Sequence, residues 1–406
     1  MAAHPRASSL GLPRAAALYF RLAGAPPDDA ALRALLAGFT EWTALRALAR
    51  RDGVSAAVRR RLRAAGATIP GAAADALARE GDVLDFHRLQ LERRLGEVLE
   101  RLAGAGLRPV LLKGAGLGHT VYRRPLDRPM RDLDLLLPPE EAERAAHLLL
   151  EAGWRPEAPA AATAYTGHQH LPPLREPGPG LAVVELHRDL FGAGHPFGLD
   201  ADGVRARARL VRTPLGPVLV PAPEDQLLHA GLHFAWAHEL RWGFWQLAAD
   251  VAALSRHAPT RGDPASAGVP WRGLAERAAA ARAERGLFWA LRLAEQLGGA
   301  PVPAPVLARL RPPMAAPAER ALLRHYAHQL TPGPGNAPSV ALTRRLWEVG
   351  MWPAAEGHGR SRPWAVGVAA RPADGVPRAA ARLRGQLGRL AAWGRYCRLV
   401  VARGDA

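Results

Sequence analysis

Leu111-Leu112-Lys113-Gly114-Ala115-Gly116-Leu117 and Arg128-Pro129-Met130-Arg131-Asp132-Leu133-Asp134-Leu135-Leu136-Leu137 are the two stretches that decide how this chain is read. Val110-Leu111-Leu112 is a short apolar run entering a glycine turn, which reads as a buried strand. Leu133 to Leu137 reads as a second strand, closed by Pro138-Pro139. Between them Ala115 to Tyr122 is expected to turn helical. Glu140 to Ala152 follows as a helix, with Pro139 near its start and Gly153 after its end. Strand, helix, strand, helix in such quick succession is an α/β module.

Charge then singles out residues within that module. Lys113 is the one lysine among 54 basic residues, so the other 53 are arginines. A planar, permanently charged fork and a compact, flexible ammonium are not interchangeable. Two readings of Lys113 stay open: chance survival in an Arg- and Ala-biased composition, or a phosphate ligand beside a tight turn. In a strand, residues two apart share a face. Asp132 and Asp134 therefore point together, while Leu133 and Leu135 point into the core. Paired carboxylates repel unless a cation lies between them. Mg²⁺ prefers oxygen and binds through one or two carboxylates plus substrate phosphates, and a second metal there would stabilise both oxygens of a phosphoryl transfer. Ala182-Val183-Val184-Glu185-Leu186-His187 is a third strand candidate. Glu185, a lone acid at its end, suits a third metal ligand. His187 shares the Glu185 face and would orient it or touch substrate. The bland alternative is a pair of solvated aspartates at a strand end.

With 406 residues the chain has ample length for two or three domains. Its 49% hydrophobic and 22% charged residues are ordinary for a globular protein. The net charge of +17 suits polyanions, including nucleic acid, but the bias toward arginine and alanine makes it weak support for any one partner. A single cysteine, Cys397, excludes an internal disulfide framework and a cysteine-based zinc site. No apolar run is long enough to span a membrane, and Ala15 to Phe20, bracketed by Arg14 and Arg21, is too short for a signal peptide. The cytoplasm is the expected compartment. The expected organisation is a flexible N-terminus (1–27), an N-terminal helical region (28–104), a catalytic core (105–222), a helical second half of the catalytic unit (223–300) and an Arg/Pro-rich, partly flexible helical extension (301–406). Within 223–300, Gly243 is expected to break Glu224 to Leu254 into two helices, and Trp271 to Leu297 reads as helical.

Lys113-Gly114, Tyr122, Arg128, Asp132-Leu133-Asp134 and Glu185-Leu186-His187 resemble the uncharacterised nucleotidyltransferase family of bacteria, a branch of the polymerase-β-like superfamily. Trp42, Leu48-Ala49 and Gly53-Val54 are similar to that family's N-terminal helical region. Pro223-Glu224-Asp225, Leu228-His229, His233 and Asp250 are similar to its helical second half. The resemblance spans roughly residues 28 to 300, and the Lys-Gly to Asp-x-Asp core also looks like the nucleotidyltransferase toxins of toxin–antitoxin pairs. It implies an α+β protein: a polymerase-β-like core with a short mixed sheet, flanked by N- and C-terminal helical regions. It implies an enzyme that moves a nucleoside monophosphate from an NTP such as ATP to an acceptor, using Mg²⁺ or Mn²⁺ held by Asp132, Asp134 and Glu185. Lys113, Gly114, Gly116, Arg128 and His187 are then the nucleotide-binding candidates. The superfamily's usual Gly-Ser turn is Lys113-Gly114 here. Lys113 would supply charge in place of the hydroxyl, and Gly114 and Gly116 would let backbone N–H groups approach the anion. For Arg128 a structural ion pair stands beside charge neutralisation on the phosphates.

The acceptor stays open among a small molecule, a glycan intermediate and a protein. So do two other functions: a noncatalytic partner-binding protein of a biosynthetic operon that keeps the fold, and an RNA-directed or toxin-like nucleotidyltransferase. His229 and His233, four apart on a helix, and His168 and His170 in a Gly/Pro-rich loop form a weak zinc case, with no glutamate after the first histidine. Asp250, among apolar residues, needs a partner; an arginine is the expected one. Trp236, Trp242 and Trp245 read mainly as packing residues, with base stacking as the alternative. The arginine-rich segment 357–403 reads as a solvated basic face.

Overall fold

The computed structural model describes residues 10–157, 165–178, 182–256 and 268–331. Five helices come first: α1 (Arg14–Gly24), α2 (Ala30–Leu36), α3 (Trp42–Arg51), α4 (Ser55–Ala64) and the long α5 (Gly71–Gly104). The mixed region follows: β1 (Val110–Leu111), α6 (Lys113–Thr120), β2 (Leu133–Leu136), α7 (Pro139–Glu151), β3 (Arg155–Pro156), β4 (Leu174–Arg175), β5 (Val183–His187), α8 (Ala201–Ala206), β6 (Arg209–Thr213) and β7 (Gly216–Val220). Helices α9 (Pro223–Leu232), α10 (Phe244–Arg256), α11 (Trp271–Ala280), α12 (Glu284–Gln296), α13 (Ala304–Leu310) and α14 (Ala316–Gln329) complete the described chain. The architecture is mixed α+β.

The sheet runs β3-β4-β5-β2-β1-β7-β6. β2 pairs parallel to β5 and antiparallel to β1, and β1 pairs parallel to β7. Period-two alternation sorts the central strands by face. Leu133, Leu135, Val184 and Leu186 are buried with Leu91, Leu95, Val98 and Leu102 of α5 and with Ala142, Ala145 and Leu149 of α7. Each such leucine contributes roughly 1.5–3 kcal/mol on burial. The intervening positions, Asp134, Glu185 and His187, fall on the other face. There Val110, Leu112 and Leu136 join a larger core built from α1, α9, α10 and α12.

Several expectations need adjusting. Residues 14–24 are not part of a flexible terminus. Leu18, Tyr19, Phe20 and Leu22 of α1 are fully buried, with Tyr19 against Trp245 at 5.0 Å and Phe20 edge-on to Phe244 at 4.9 Å between ring centroids. Their packing partners lie more than 200 residues away, so a local reading saw only a short apolar run. The extension expected from 301 onward starts as part of the helical core: Leu310 and Tyr326 are buried with α12. Its arginine-rich portion, 357–403, lies outside the described residues. β6 was not anticipated, because its alternate residues are half-buried or exposed on an edge strand. The helix expected over 271–297 is two, separated at Arg282, whose φ is 53°. Gly243, with φ 74°, ends the interruption between α9 and α10 as expected, but α9 first runs on as a π-turn, His233–Ala237. Trp236 and Trp245 are packing residues, while Trp242 is 58% exposed.

Gly116 measures how tightly α6 sits on the sheet. A Cβ there would lie 2.3 Å from the Leu111 carbonyl oxygen, whereas one on Gly104, at the end of α5, would meet nothing within 4 Å. Gly116→Ala is expected to destabilise by about 1–3 kcal/mol through overpacking, lowering Tm by several degrees. Gly104→Ala should leave Tm unchanged or slightly raised. Equal melting of the two variants would refute the close approach of α6 to β1.

Candidate active site

β2 and β5 lie side by side in register, with Asp134 opposite Glu185 and Leu136 opposite His187. Parallel neighbours project to the same face, so the strand pairing itself brings together groups 51 residues apart (185 less 134). Asp134, Glu185 and His187 each offer one ligand atom within 4.8 Å of the other two. Among the described residues this is the group of His, Cys and acids able to hold a metal ion. Two carboxylate oxygens and one imidazole nitrogen suit a divalent cation, and Mn²⁺ accepts both donor types.

The loop after β1 supplies the counter-charge. Leu112 N–H donates to the Asp134 carbonyl at 3.0 Å, and Lys113 then turns the chain into α6 with φ 44°. A non-glycine residue in that region is strained by roughly 1–3 kcal/mol, and such strain concentrates at functional positions. Here it aims the ammonium at Asp134, with Nζ 2.7 Å from Oδ1. His187 Nε2 lies 2.8 Å from the same oxygen and 3.4 Å from Glu185 Oε2. One buried carboxylate oxygen therefore faces two cationic or donor groups.

Burial would raise the Asp134 carboxyl, but Lys113 and the His187 hydrogen bond hold it well below the usual range. Burial would lower the Lys113 ammonium; Asp134, Asp132 and Glu185 together raise it instead. Burial likewise opposes protonation of His187, and hydrogen bonds to Asp134 and Glu185 reverse the balance upward. Asp132 sits just ahead of β2. Burial, then repulsion from Asp134, pushes it up from 3.8 to about 7. It feels the field of the same cluster, yet it is not one of the three residues with converging ligand atoms. The trio expected from sequence is thus rearranged: His187, expected to touch nucleotide or to orient Glu185, joins Asp134 and Glu185 at their centre.

Other candidates take structural places. Arg128 is buried and bidentate to Asp250, at 3.1 and 2.7 Å, and the Tyr122 hydroxyl donates to Asp250 at 2.6 Å. This supplies the arginine expected for Asp250 and favours the ion-pair reading of Arg128. Gly114 lies within α6, where a Cβ would come 2.6 Å from Met130 Cβ and 2.9 Å from Arg128 Nη1. Gly116 N–H donates to the Leu112 carbonyl at 3.2 Å, so it is engaged in the helix instead of facing an anion. Both positions are closely packed, and of the two only the Gly116 N–H is shown engaged by the helix.

A histidine layer flanks the acids. His170 bridges antiparallel to His187 at the end of β5, its Nε2 is 3.5 Å from Glu185 Oε2, and the rings of His168 and His170 are 4.2 Å apart. Burial, outweighing the Glu185 charge, lowers His170 to about 4. His229 and His233 do not form a metal group with any third ligand among the described residues. Beside this layer opens a cleft of about 600 Å³ lined by Tyr165, His168, Arg188, Asp189 and Phe191 among others. Asp189 links cleft and acids, since its carbonyl lies 3.3 Å from His187 Nδ1.

The sequence profile of an uncharacterised nucleotidyltransferase family matches residues 39–299, more than half of the chain. The chain belongs to that family. The match covers nearly the span over which the sequence resembles it and contains every site residue named above. No curated protein matches the chain, and no solved structure does. No helix among the described residues is long and apolar enough to cross a membrane.

The two aspartates should behave oppositely in metal-free protein. The folded Asp132 binds its proton more tightly than the unfolded one, so its contribution is present below about pH 4 and is lost as pH rises toward 7. The folded Asp134 binds its proton less tightly, so its contribution is present above the ordinary value and is lost in acid. Asp132→Asn is therefore expected to raise Tm by a few degrees at pH 8 with little change at pH 4, and Asp134→Asn to lower it at pH 8. Thermal melts in chelator at both pH values check this. A drop in Tm for both variants at pH 8 would contradict the assigned charge balance.

Proposed function

We propose that the protein is a metal-dependent nucleotidyltransferase with a polymerase-β-like core, transferring a nucleoside monophosphate from an NTP to an acceptor oxygen. The observation that carries this reading is the in-register pairing of Asp134 with Glu185. It sets two acids and His187 on the face of the sheet turned to the helical core, beside the one lysine of the chain. The donor set fits Mg²⁺ or Mn²⁺, and a divalent ion held there would neutralise charge on the triphosphate. Asp134, Glu185 and His187 are the proposed ligands, with Asp132 joining once its proton is lost.

The protein's own residues have the following roles in this reading. Lys113, now paired with Asp134, turns its ammonium to the phosphates when the acids are otherwise neutralised; its four-carbon stem permits that movement. The acceptor oxygen attacks the α-phosphorus, the bond from that phosphorus to the bridging oxygen breaks, and pyrophosphate leaves. Glu185, the more exposed acid, receives the acceptor's proton. Arg128 acts at a distance, fixing Gly114 and Met130 through its Asp250 ion pair. The cleft at Tyr165, Arg188 and Phe191 receives the acceptor, and residues 105–222 form the catalytic core with 223–300 as its helical second half. A merely structural, noncatalytic role would not need a buried Asp–Lys–His arrangement next to a second carboxylate.

Two measurements test the reading. Isothermal titration with Mn²⁺ or Mg²⁺ and each of the four NTPs should show binding to the wild type, weakened at least tenfold in Asp132→Asn/Asp134→Asn that still melts cooperatively. Equal heats would remove the metal site. Labelled NTPs added to cell extract should yield a labelled product that the double variant does not form.

A further inference from the structure

His170 uses its two ring nitrogens differently. His187 pairs with Leu136 on one side of β5 and with His170 on the other. Directly paired residues share a face, so His170 extends the row of site residues beyond Glu185 and His187. It is 6% exposed. Its Nδ1 lies 2.7 Å from the Leu171 carbonyl oxygen. A carbonyl oxygen only accepts, so Nδ1 carries a proton and Nε2 is the ligand atom of the neutral ring. Nε2 faces Glu185 Oε2 at 3.5 Å. His187 repeats the pattern, with Nδ1 3.3 Å from the Asp189 carbonyl oxygen and Nε2 3.4 Å from Glu185 Oε2. Glu185 Oε2 is thus flanked by two imidazoles, each tied to the backbone through its far nitrogen.

The spacing separates a shared proton from a shared ion. An imidazolium–carboxylate hydrogen bond closes to about 2.7–2.9 Å, as His187 and Asp134 do at 2.8 Å. His170 and Glu185 are too far apart for one. Ligand atoms on one tetrahedral ion, with bonds of about 2.1 Å, are about 3.4 Å from each other. Metal-bound histidines commonly donate their other N–H to a backbone carbonyl, as His170 does. Lys113 is bonded to Asp134, and among the described residues the partners of Glu185 are these two histidines. The position is also reachable. The Glu185 side chain is 19% exposed. The His170 ring packs against His168 at 4.2 Å and Tyr165 at 5.8 Å, and both of these line the cleft, as does Leu171.

We propose that Glu185 holds two divalent ions: one with Asp134 and His187, and a second, on the cleft side, with His170. One imidazole and one carboxylate suit a borderline ion such as Mn²⁺ or Zn²⁺ better than Mg²⁺. Water and an oxygen of the acceptor complete the shell of the second ion. This inference rests on the metal site of the nucleotidyltransferase reading and adds His170 to its ligands.

Mn²⁺ alone is to be titrated into the full-length wild type, Asp134→Asn, His170→Phe and His170→Gln. The EPR signal of free Mn²⁺ counts the bound ions, and pulsed EPR reads nitrogen coupling to them. The wild type is expected to bind two ions per chain with the spectrum of a coupled pair. His170→Phe keeps a ring for packing but offers no donor; it is expected to bind one ion, with affinity within about threefold of the wild type's tighter site. His170→Gln should bind the second ion about tenfold more weakly. Thermal melts establish that each variant is folded. A single ion in the wild type, lost in Asp134→Asn and unaffected in His170→Phe, would overturn the second position and leave the enzyme reading standing. Two ions in both wild type and His170→Phe would overturn the role of His170. Loss of both ions from folded His170→Phe would make His170 a positioning residue for Glu185 and likewise overturn the second position. No Mn²⁺ bound by folded wild type would overturn both the inference and the metal reading beneath it.

Discussion

One carboxylate oxygen organises this protein. Asp134 Oδ1 receives both Lys113 Nζ and His187 Nε2 at hydrogen-bond distance, and the three come from β2, the start of α6 and the end of β5. Burying a charge is costly unless it is paired and hydrogen-bonded. Asp134 is therefore tolerable only where both partners arrive, and both arrive only if the strand register and the turn after β1 are right. The strained φ of Lys113 fits that demand: the backbone is held off its comfortable geometry so that the ammonium reaches the acid. A site that is electrostatically balanced without a metal is also one whose balance changes when a divalent ion or a triphosphate enters. In the proposed reading the lysine would then exchange a carboxylate for a phosphate.

The scaffold around that oxygen is arranged in two layers of different character. On one side of the sheet, α5 and α7 bury leucine, valine and alanine side chains and carry no site residue. On the other side the helical half presents histidines, and the Arg128–Asp250–Tyr122 cluster ties α10 to the loop before β2. The division makes physical sense. A dry apolar face holds the strands rigid, and the acids then need only lateral neighbours to be positioned.

Much of the placement of the candidate residues was legible in the sequence. Asp132-Leu133-Asp134 and Glu185-Leu186-His187 both show period-two alternation of apolar and polar residues, and that alternation alone puts Asp134, Glu185 and His187 on the face opposite Leu133, Leu135 and Leu186. The asymmetry of one lysine among many arginines drew attention to Lys113. The helices of the second half were readable from periodicity, as was the break at Gly243. What a local reading could not show shares a cause. Gly114 and Gly116 look like an anion-binding turn locally, and their small size also answers to Met130, Arg128 and the Leu111 carbonyl across the fold. The residues of α1 look like a stray apolar run until Phe244 and Trp245 are beside them.

The sequence by itself determined the strand faces, the helix-rich composition, the family and the identity of the acids, because these follow from local periodicity and residue chemistry. Only the tertiary structure decided which acids meet. β2 and β5 could pair in several registers, and the one adopted sets Asp134 against Glu185 and brings His187, rather than Asp132, into the group whose ligand atoms converge. It alone decided that Arg128 pairs with Asp250. Pairing across long chain separations is set by how buried charges find partners in a shared low-dielectric space, and that is a property of the packed whole.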